Sequence, residues 1–380
     1  MENDHSTFDT DIIPLRTRID QIDSQILSLL AQRQEQVDEV VRLKKHHEIP
    51  VHHPAREEDL ISKLRGQAAR TRIDPDFIED LYRLILSHSR VKQTRQIEQK
   101  SIRENACVLI LGGSGQMGKF FSTLFSKSGY EVRHLNSRDW DNARNLCRGV
   151  DLAIVSVPID KTPQIIDRIA PFLDPRTILT DLTSIKVIPL EKMMQAHPGP
   201  VLGLHPIFGP TSGSLEKQII VATPGRHAEQ CQWVIDQLTL WGAVMVESTP
   251  KEHDDIMEFV QSLRHFATFC FGQFLFEKNI HLKRSLEFSS PIYRLELGMV
   301  GRLFAQDGSL YSEIIFATKE RVALLKDYIH SMNRHLEMLE NNDKQVFIEK
   351  FNQISEWFGP FSEQAMREST FLINKLTERF

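Results

Sequence analysis

His205 has the chemistry and the position of a catalytic base. It lies in LGLHPIFGP, residues 202–210, where two prolines follow an apolar run that predicts a β-strand. A neutral imidazole accepts a proton near pH 7, so a histidine at the carboxyl end of a strand can act as a general base. The alternative is structural, because such a histidine can simply satisfy a neighbouring carbonyl group. This stretch alone leaves both interpretations open.

Two cations on one predicted helix point to an anionic ligand. Apolar residues recur at helical spacing between Leu15 and about Lys45, a range without glycine or proline. Arg33 and Lys44 are eleven residues apart, which on a helix means about 20° of rotation and roughly 16 Å. Both therefore lie on the apolar face, where a charge is costly unless an anion meets it. The alternative is that their stems are buried and their charged ends reach water.

Arg16 belongs to the same predicted helix but not to the same pocket. It precedes Arg33 by seventeen residues, which is about 25 Å along the helix with a rotation of about 100°. If Arg16 binds the same ligand, it does so in a second copy of the site. That arrangement implies a dimer of crossed long helices.

Two further helices are predicted before residue 100. Pro50 and Pro54 end the first helix, and the second begins near Arg56. Asp74 and Pro75 predict the cap and first turn of the third helix. The apolar face of this third helix continues into two polar side chains four residues apart, Ser89 and Gln93.

The segments LRTRIDQID, LLAQR, LKK, PAREE and SHSRVKQ resemble, in order and spacing, the all-helical chorismate mutase family over about 95 residues. This resemblance implies an intertwined dimer that rearranges chorismate to prephenate. It implies that the chorismate carboxylates are held by arginines, that cationic and amide donors face the ether oxygen, and that a glutamate accepts from the ring hydroxyl. For the carboxylates these residues are Arg33, Arg56 and Ser89 of one chain, with Arg16 of the partner subunit. Lys44 and Gln93 face the ether oxygen, and Glu57 accepts from the hydroxyl. His53 stands where some mutases have Asp, so the sequence departs from the family pattern on the hydroxyl side of the site.

A glycine pattern after residue 106 predicts a dinucleotide site. In CVLILGGSGQMGKFFSTLF, a β-branched run precedes Gly113, Gly115 and Gly118, and a helical pattern follows. Such glycines permit a tight turn and let a pyrophosphate approach the helix N-terminus. The predicted cofactor loop comprises Gly113, Ser114, Gly115, Gln116, Met117 and Gly118. Asn136 ends the next strand where an acidic residue is usual, so the residues themselves leave both NAD and NADP open.

Further strands alternate with helical segments and predict a doubly wound parallel sheet. They cover residues 152–158, 177–184, 201–205 and 219–225. Ligands of such sheets bind at the carboxyl ends of the strands, where Ser184 and His205 both stand. From about Lys251 onward the pattern is helical.

The segments DLTSIK, LGLHPIFGP, LRHFATF, SSPIYRLEL and GRLFAQD resemble the prephenate dehydrogenase family over roughly residues 106–375. The whole chain thus resembles a bifunctional chorismate mutase/prephenate dehydrogenase of tyrosine biosynthesis. We expect His205 to be the base, with Ser184 orienting it and Lys186 as a supporting cation. The resemblance implies that Arg302 binds a prephenate carboxylate, with Arg294 as second choice, and that His265 lies on the substrate and effector side. The alternative for His265 is a structural histidine in the core.

The expected architecture is an all-α chorismate mutase domain, an α/β Rossmann-type dinucleotide-binding domain and an all-α dimerisation domain. Their predicted ranges are 1–100, 105–248 and 249–380. The resemblance implies a homodimer with NAD as cofactor, chorismate and prephenate as substrates, and tyrosine as feedback inhibitor.

Composition excludes several other classes of protein. The net charge of −5 argues against a nucleic-acid partner. No apolar run reaches the roughly 18 residues that span a bilayer, and the acidic start lacks a signal peptide, so we expect a cytoplasmic protein. Four separated cysteines without a CxxC spacing suggest neither a disulfide framework nor a zinc site.

Two alternatives remain. The dehydrogenase could use arogenate or NADP, because the amino and keto side chains differ far from the reacting carbon. The first 100 residues could be a regulatory dimerisation module without catalysis. Cations on the apolar stripe argue against the second alternative, since a helix used only for dimerisation would not keep them.

Overall fold

A computed structural model of the chain describes residues 3–47, 54–97, 101–209 and 212–377. Side chains are described for residues 12–43, 55–90, 101–209 and 212–376. The chain forms two compact units. The first comprises Met1–Ser156, Ile169–Leu182 and Ala196–Glu247, and the second comprises Val157–Arg168, Thr183–Gln195 and Ser248–Phe380.

Three helices open the first unit: α1 (Asn3–His47), α2 (Pro54–Ala68) and α3 (Pro75–Ile97). The predicted long helix is confirmed, and Asp74 caps α3 by accepting the Asp76 N–H at 2.9 Å. Helix α3 packs against both α1 and α2. The apolar stripe of α1 is largely exposed, with Ile22 at 52% and Leu29 at 62%. This face is uncovered by the rest of the described chain.

The first unit also holds a seven-stranded sheet with the order β2-β1-β3-β4-β5-β6-β7. The strands are β1 (Cys107–Leu111), β2 (Glu131–Leu135), β3 (Leu152–Val155), β4 (Ile178–Asp181), β5 (Val201–Pro206), β6 (Ile219–Pro224) and β7 (Val244–Glu247). The helices that alternate with them along the chain are α4 (Gln116–Lys127), α5 (Ala143–Leu146), α6 (Thr162–Ile169), α7 (Val187–Ala196) and α8 (Ala228–Leu240). Strands β1 and β3 are completely buried, as continuous apolar runs in a parallel sheet require.

The prediction of a wholly parallel sheet is wrong at one pair of strands. Strand β6 runs antiparallel to β5, with His205 opposite Val221. A parallel connection needs a crossover, usually a helix, and the described part of residues 207–218 contains none. Strand β7, which the sequence pattern did not predict, is a short exposed edge strand parallel to β6.

Beyond residue 248 the described chain is helical, as predicted. Its helices are α9 (Pro250–Met257), α10 (Arg264–Glu277), α11 (Leu282–Glu287), α12 (Pro291–Phe304), α13 (Gly308–Ile315), α14 (Lys319–Glu340), α15 (Lys344–Phe358) and α16 (Pro360–Thr377). A π-helical segment, Glu258–Leu263, joins α9 to α10. Its wider turn shifts the face on which later side chains lie, so α-helical spacing cannot be extended across it. No helix of the described ranges is long and apolar enough to cross a membrane.

Candidate active sites

Arg33 and Ser89, which are 56 residues apart, meet between α1 and α3. The Arg33 guanidinium donates to the Ser89 hydroxyl at 3.0 Å. That hydroxyl in turn donates to the Ile85 carbonyl at 2.9 Å, which fixes its orientation, and Ser89 is buried. Ser89 thus holds the Arg33 guanidinium, whose other N–H groups can donate to an anion, as the predicted carboxylate site requires.

The predicted hydroxyl acceptor, Glu57, forms an ion pair with Arg90. Sequence analysis missed Arg90, because a buried arginine next to Ser89 has no distinguishing local pattern. Arg56 is exposed and pairs with Asp59 at 3.0 Å, so its guanidinium can be released to a ligand. Arg16 is exposed on α1.

The predicted donors to the ether oxygen lie outside the described side chains. The backbone of α1 includes position 44 and that of α3 includes position 93. The side chains of Lys44 and Gln93 are not among those described, and His53 lies outside the described residues altogether. Their roles stay predictions.

The glycine turn between β1 and α4 has the geometry that a pyrophosphate requires. Gly112 has φ +79°, and its carbonyl accepts the Gly115 N–H at 2.9 Å. A Cβ on Gly118 would lie 2.5 Å from the Gly112 oxygen, so only glycine allows this approach of helix to turn. The first N–H groups of α4 have no partners within the helix and can bind an anion. These residues fit a dinucleotide.

The end of β2 carries a carboxylate that sequence analysis missed. Asn136 accepts the Ser114 N–H at 3.2 Å and donates its amide to Asp139 at 3.2 Å. The Asp139 carboxylate also accepts the Asn136 backbone N–H at 2.8 Å. A negative charge beside the end of this strand disfavours a 2′-phosphate. The fold thus places the Asp139 carboxylate next to Asn136, the position where an acidic residue is usual.

His205 is the second-to-last residue of β5 and is 2% exposed. Its predicted position at the carboxyl end of a strand is confirmed. It belongs to the same unit as the glycine turn.

In the second unit, Asp254 holds the segment that contains Ser184 and Lys186. Its two carboxylate oxygens accept the backbone N–H groups of Lys186 at 2.7 Å and Val187 at 3.0 Å. His253 lies 2.7 Å from the same carboxylate. Burial raises the pKa of Asp254, but the hydrogen bonds from His253, Val187 and Lys186 outweigh it and leave the pKa below its ordinary value. An ionised Asp254 therefore fixes the start of α7.

Arg321 holds the same segment from a second side. It is fully buried, donates to the Ile314 carbonyl, and has its other guanidinium nitrogen 3.5 Å from the Ser184 carbonyl. Lys186 is also fully buried, with Nζ 3.4 Å from the Thr183 hydroxyl. Two charged residues distant in sequence thus hold the backbone from Ser184 to Val187.

The other predicted substrate residues of this unit have different surroundings. His265 is buried edge-on against Tyr311, and burial, with a smaller effect of Arg264, lowers its pKa to about 4. It is therefore neutral at pH 7. Arg294 is half-buried and lies 3.4 Å from the Leu286 carbonyl. Arg302 lies between apolar residues in the sequence, but its side chain is exposed, on the side of α12 away from the buried Val300 and Leu303.

Three family models match successive parts of the chain. Chorismate mutase type II matches residues 15–94. The nucleotide-binding domain of prephenate dehydrogenase matches residues 130–247, and the dimerization domain of prephenate dehydrogenase matches residues 249–353.

Relatives with nearly the same length are also found. The chain is 42% identical to the T-protein of Enterobacter agglomerans over 97% of this chain and 98% of that protein. It is 39% identical to the T-protein of Haemophilus influenzae over 96% of this chain and 97% of that protein.

Among solved structures, the fold is similar to prephenate dehydrogenase from A. aeolicus in complex with hydroxyphenyl propionate and NAD+. The TM-score is 0.54 at 17% identity, with 67% of this chain and 98% of that chain covered. Synechocystis arogenate dehydrogenase gives a TM-score of 0.53 at 16% identity, with 68% and 99% covered.

Proposed function

Because this chain belongs to the T-protein family of bifunctional chorismate mutase/prephenate dehydrogenases, we propose how its own residues divide the two reactions. The enzyme rearranges chorismate to prephenate and then oxidatively decarboxylates prephenate to 4-hydroxyphenylpyruvate with NAD. The observation that carries this conclusion is the 42% identity to a T-protein over 97% of the chain, which spans both catalytic parts.

In the mutase reaction the enzyme selects a compact conformer and stabilises charge on the breaking ether oxygen, because no proton moves and no covalent intermediate forms. Arg33 and Ser89 bind one carboxylate, and their mutual hydrogen bond at 3.0 Å keeps both side chains in place before the ligand arrives. Arg56 of the same chain and Arg16 of the partner subunit complete the contacts with the two carboxylates. Lys44 and Gln93 donate to the ether oxygen, and Glu57 accepts from the ring hydroxyl.

In the dehydrogenase reaction His205 moves the proton of the C4 hydroxyl. NAD, when bound at the glycine turn, accepts the hydride from C4 of prephenate. His205 takes the hydroxyl proton as the C4 oxygen becomes a carbonyl. The role of Ser184 in orienting the imidazole stays a prediction. As the C1 carboxylate leaves as carbon dioxide, the bonding electrons make the ring aromatic, and His205 returns its proton to the C4 oxygen. Lys186 and Arg302, with Arg294 as second choice, bind the carboxylates of the substrate.

The homodimer and the feedback inhibitor belong to the same proposal. A homodimer is supported by the exposed apolar stripe of α1 and by the match to a dimerization domain over residues 249–353. Tyrosine shares the ring and the side-chain carboxylate with substrate and product. A neutral His265 contacts such a carboxylate as a hydrogen-bond donor. The domain ranges 1–100, 105–248 and 249–380 and the cytoplasmic location stay predictions.

A two-step assay of the purified chain tests the function. Chorismate alone will yield prephenate, and prephenate with NAD will yield 4-hydroxyphenylpyruvate, carbon dioxide and NADH. Parallel reactions with NADP and with arogenate decide between the alternatives, and the Asp139 carboxylate predicts faster turnover with NAD. Absence of prephenate after incubation with chorismate would assign the helical region a purely structural role.

Substitution of Asp254 tests whether the Ser184 segment must be held in place. In Asp254→Asn one side-chain oxygen is replaced by an NH₂ group, which cannot accept the second backbone N–H. A displacement of about 1 Å near a reacting group can cost up to about 10² in rate, so we expect kcat for prephenate oxidation to fall by at least tenfold. The mutase rate of the same preparation, measured with chorismate, is expected to stay within about twofold.

Asp255→Asn is the matched control, because Asp255 is exposed and pairs with Lys251 of the same helix at 2.7 Å. Equal dehydrogenase rates for the two variants would refute the positioning role of Asp254.

A further inference from the structure

One buried guanidinium in the first unit contacts two carboxylates from different parts of the chain. Arg90, on α3, pairs through Nη1 with Glu57 of α2. Its Nε lies 3.2 Å from Glu216, at an angle that makes an ion-pair contact rather than a hydrogen bond. Arg90 is 7% exposed. We call Glu57, Arg90 and Glu216 the carboxylate-arginine triad.

Glu216 is held in place by its own surroundings. It lies in the loop between β5 and β6, close to Gly242, which has φ +97°. A Cβ at Gly242 would lie 2.5 Å from the Glu216 carboxylate, and the Lys217 N–H donates to the Gly242 carbonyl at 2.9 Å. The Ser214 hydroxyl accepts the Glu216 N–H at 3.4 Å. These contacts with Gly242 and Ser214 therefore hold the Glu216 carboxylate where it faces Arg90.

The electrostatics of the triad make each member depend on the other two. A buried guanidinium is costly unless carboxylates meet it, and removal of one partner leaves an uncompensated charge. The planar fork of arginine can serve two carboxylates at once in a fixed geometry. With Glu216 in place, Arg90 cannot rotate away from Glu57. Without Glu216, the Arg90 guanidinium loses one of its two carboxylate partners, and Glu57 loses its fixed orientation.

We propose that Arg90 and Glu216 are positioning residues of the mutase reaction, through which the loop after β5 of the dehydrogenase region orients Glu57 toward the chorismate hydroxyl. The inference rests on the proposed role of Glu57. It also links the two halves of the chain physically, because this loop begins directly after the strand that carries His205. The mutase helices without the rest of the chain would then lack Glu216, which helps to hold Arg90 against Glu57.

The decisive experiment is Glu216→Gln in the full-length enzyme, with mutase kcat and KM measured on chorismate. Gln keeps the size of Glu216 but removes its charge, and we expect mutase kcat/KM to fall roughly tenfold, a typical size for coupling through an intermediate residue. The fall in mutase activity is expected to exceed any fall in prephenate oxidation. Glu229→Gln is the control, because Glu229 is exposed on α8 and its loss removes the same charge.

A double-mutant cycle distinguishes positioning from a general loss of structure. If Glu216 acts through Arg90, the double variant Arg90→Gln/Glu216→Gln will be no slower than Arg90→Gln alone. Additive losses would overturn the proposal. If Glu216→Gln fails to fold, Arg90→Lys supplies the test, because an ammonium keeps the charge but lacks the fork, and a mutase rate equal to that of the parent would refute the inference.

Glu57→Gln separates this inference from the proposed function. Impaired mutase activity in Glu57→Gln with full activity in Glu216→Gln overturns the positioning role alone. Full activity in both variants overturns the assignment of Glu57 as well.

Discussion

Replacement of His205 by Asn will abolish NAD-dependent oxidation of prephenate, while conversion of chorismate to prephenate continues. Asn is smaller than His and keeps a hydrogen-bond donor, but its amide is not basic and cannot accept the proton that leaves the C4 hydroxyl. Loss of a general base typically lowers the rate by about 10² to 10⁴. We expect this loss in kcat, with the KM for prephenate nearly unchanged, in an assay that follows NADH formation.

His197→Asn is the matched control for this experiment. His197 is also buried, but its imidazole lies 2.7 Å from the Thr177 carbonyl, and burial lowers its pKa, so it serves the packing of the sheet. We expect its replacement to lower the thermal unfolding midpoint and to leave turnover of the folded protein in place. If His205→Asn lowers mutase and dehydrogenase rates together with stability, His205 is structural.

Replacement of Arg33 by Met will nearly eliminate the mutase reaction while added prephenate is still oxidised. Met keeps the apolar stem against α3 but removes the charge that meets a chorismate carboxylate. It also leaves the buried Ser89 hydroxyl without its donor at 3.0 Å. Truncation of a buried charge-assisted contact typically costs roughly 2 to 5 kcal/mol, which corresponds to about 30-fold or more in kcat/KM.

Arg42→Met controls for loss of a positive charge from the same helix. Arg42 is exposed and pairs with Glu39 at 2.8 Å, so its loss is expected to change the mutase rate by less than twofold. The measurement is prephenate formation from chorismate at several substrate concentrations. Equal effects of Arg33→Met and Arg42→Met would remove Arg33 from the carboxylate site.

Local sequence patterns were sufficient to predict the glycine turn, the first helix and the position of His205. The turn at Gly112–Gly118 follows from backbone sterics, since a side chain at Gly118 would collide with the turn itself. The first helix from Leu15 to about Lys45 follows from a glycine- and proline-free amphipathic run, although α1 also extends back through Pro14 to Asn3. The position of His205 follows from the strand before it. In each case the physical cause lies within a few residues of the feature.

The tertiary structure alone decided features that depend on residues distant in sequence. Asp254 meets Lys186 across 68 positions, and Arg321 meets Ser184 across 137, so no local pattern could indicate that these residues hold the same segment. The reversal of β6 and the exposure of Arg302 likewise depend on how elements pack.

The pairing of Arg90 with Glu57 and Glu216 is the clearest case of this division. Arginine and glutamate are ordinary on helix surfaces and in loops, and their types alone predict solvated charges. Burial makes them significant, because a guanidinium removed from water must find carboxylates wherever the fold supplies them. The sequence contains the three charges, but only the packing of α2, α3 and the loop after β5 brings them together.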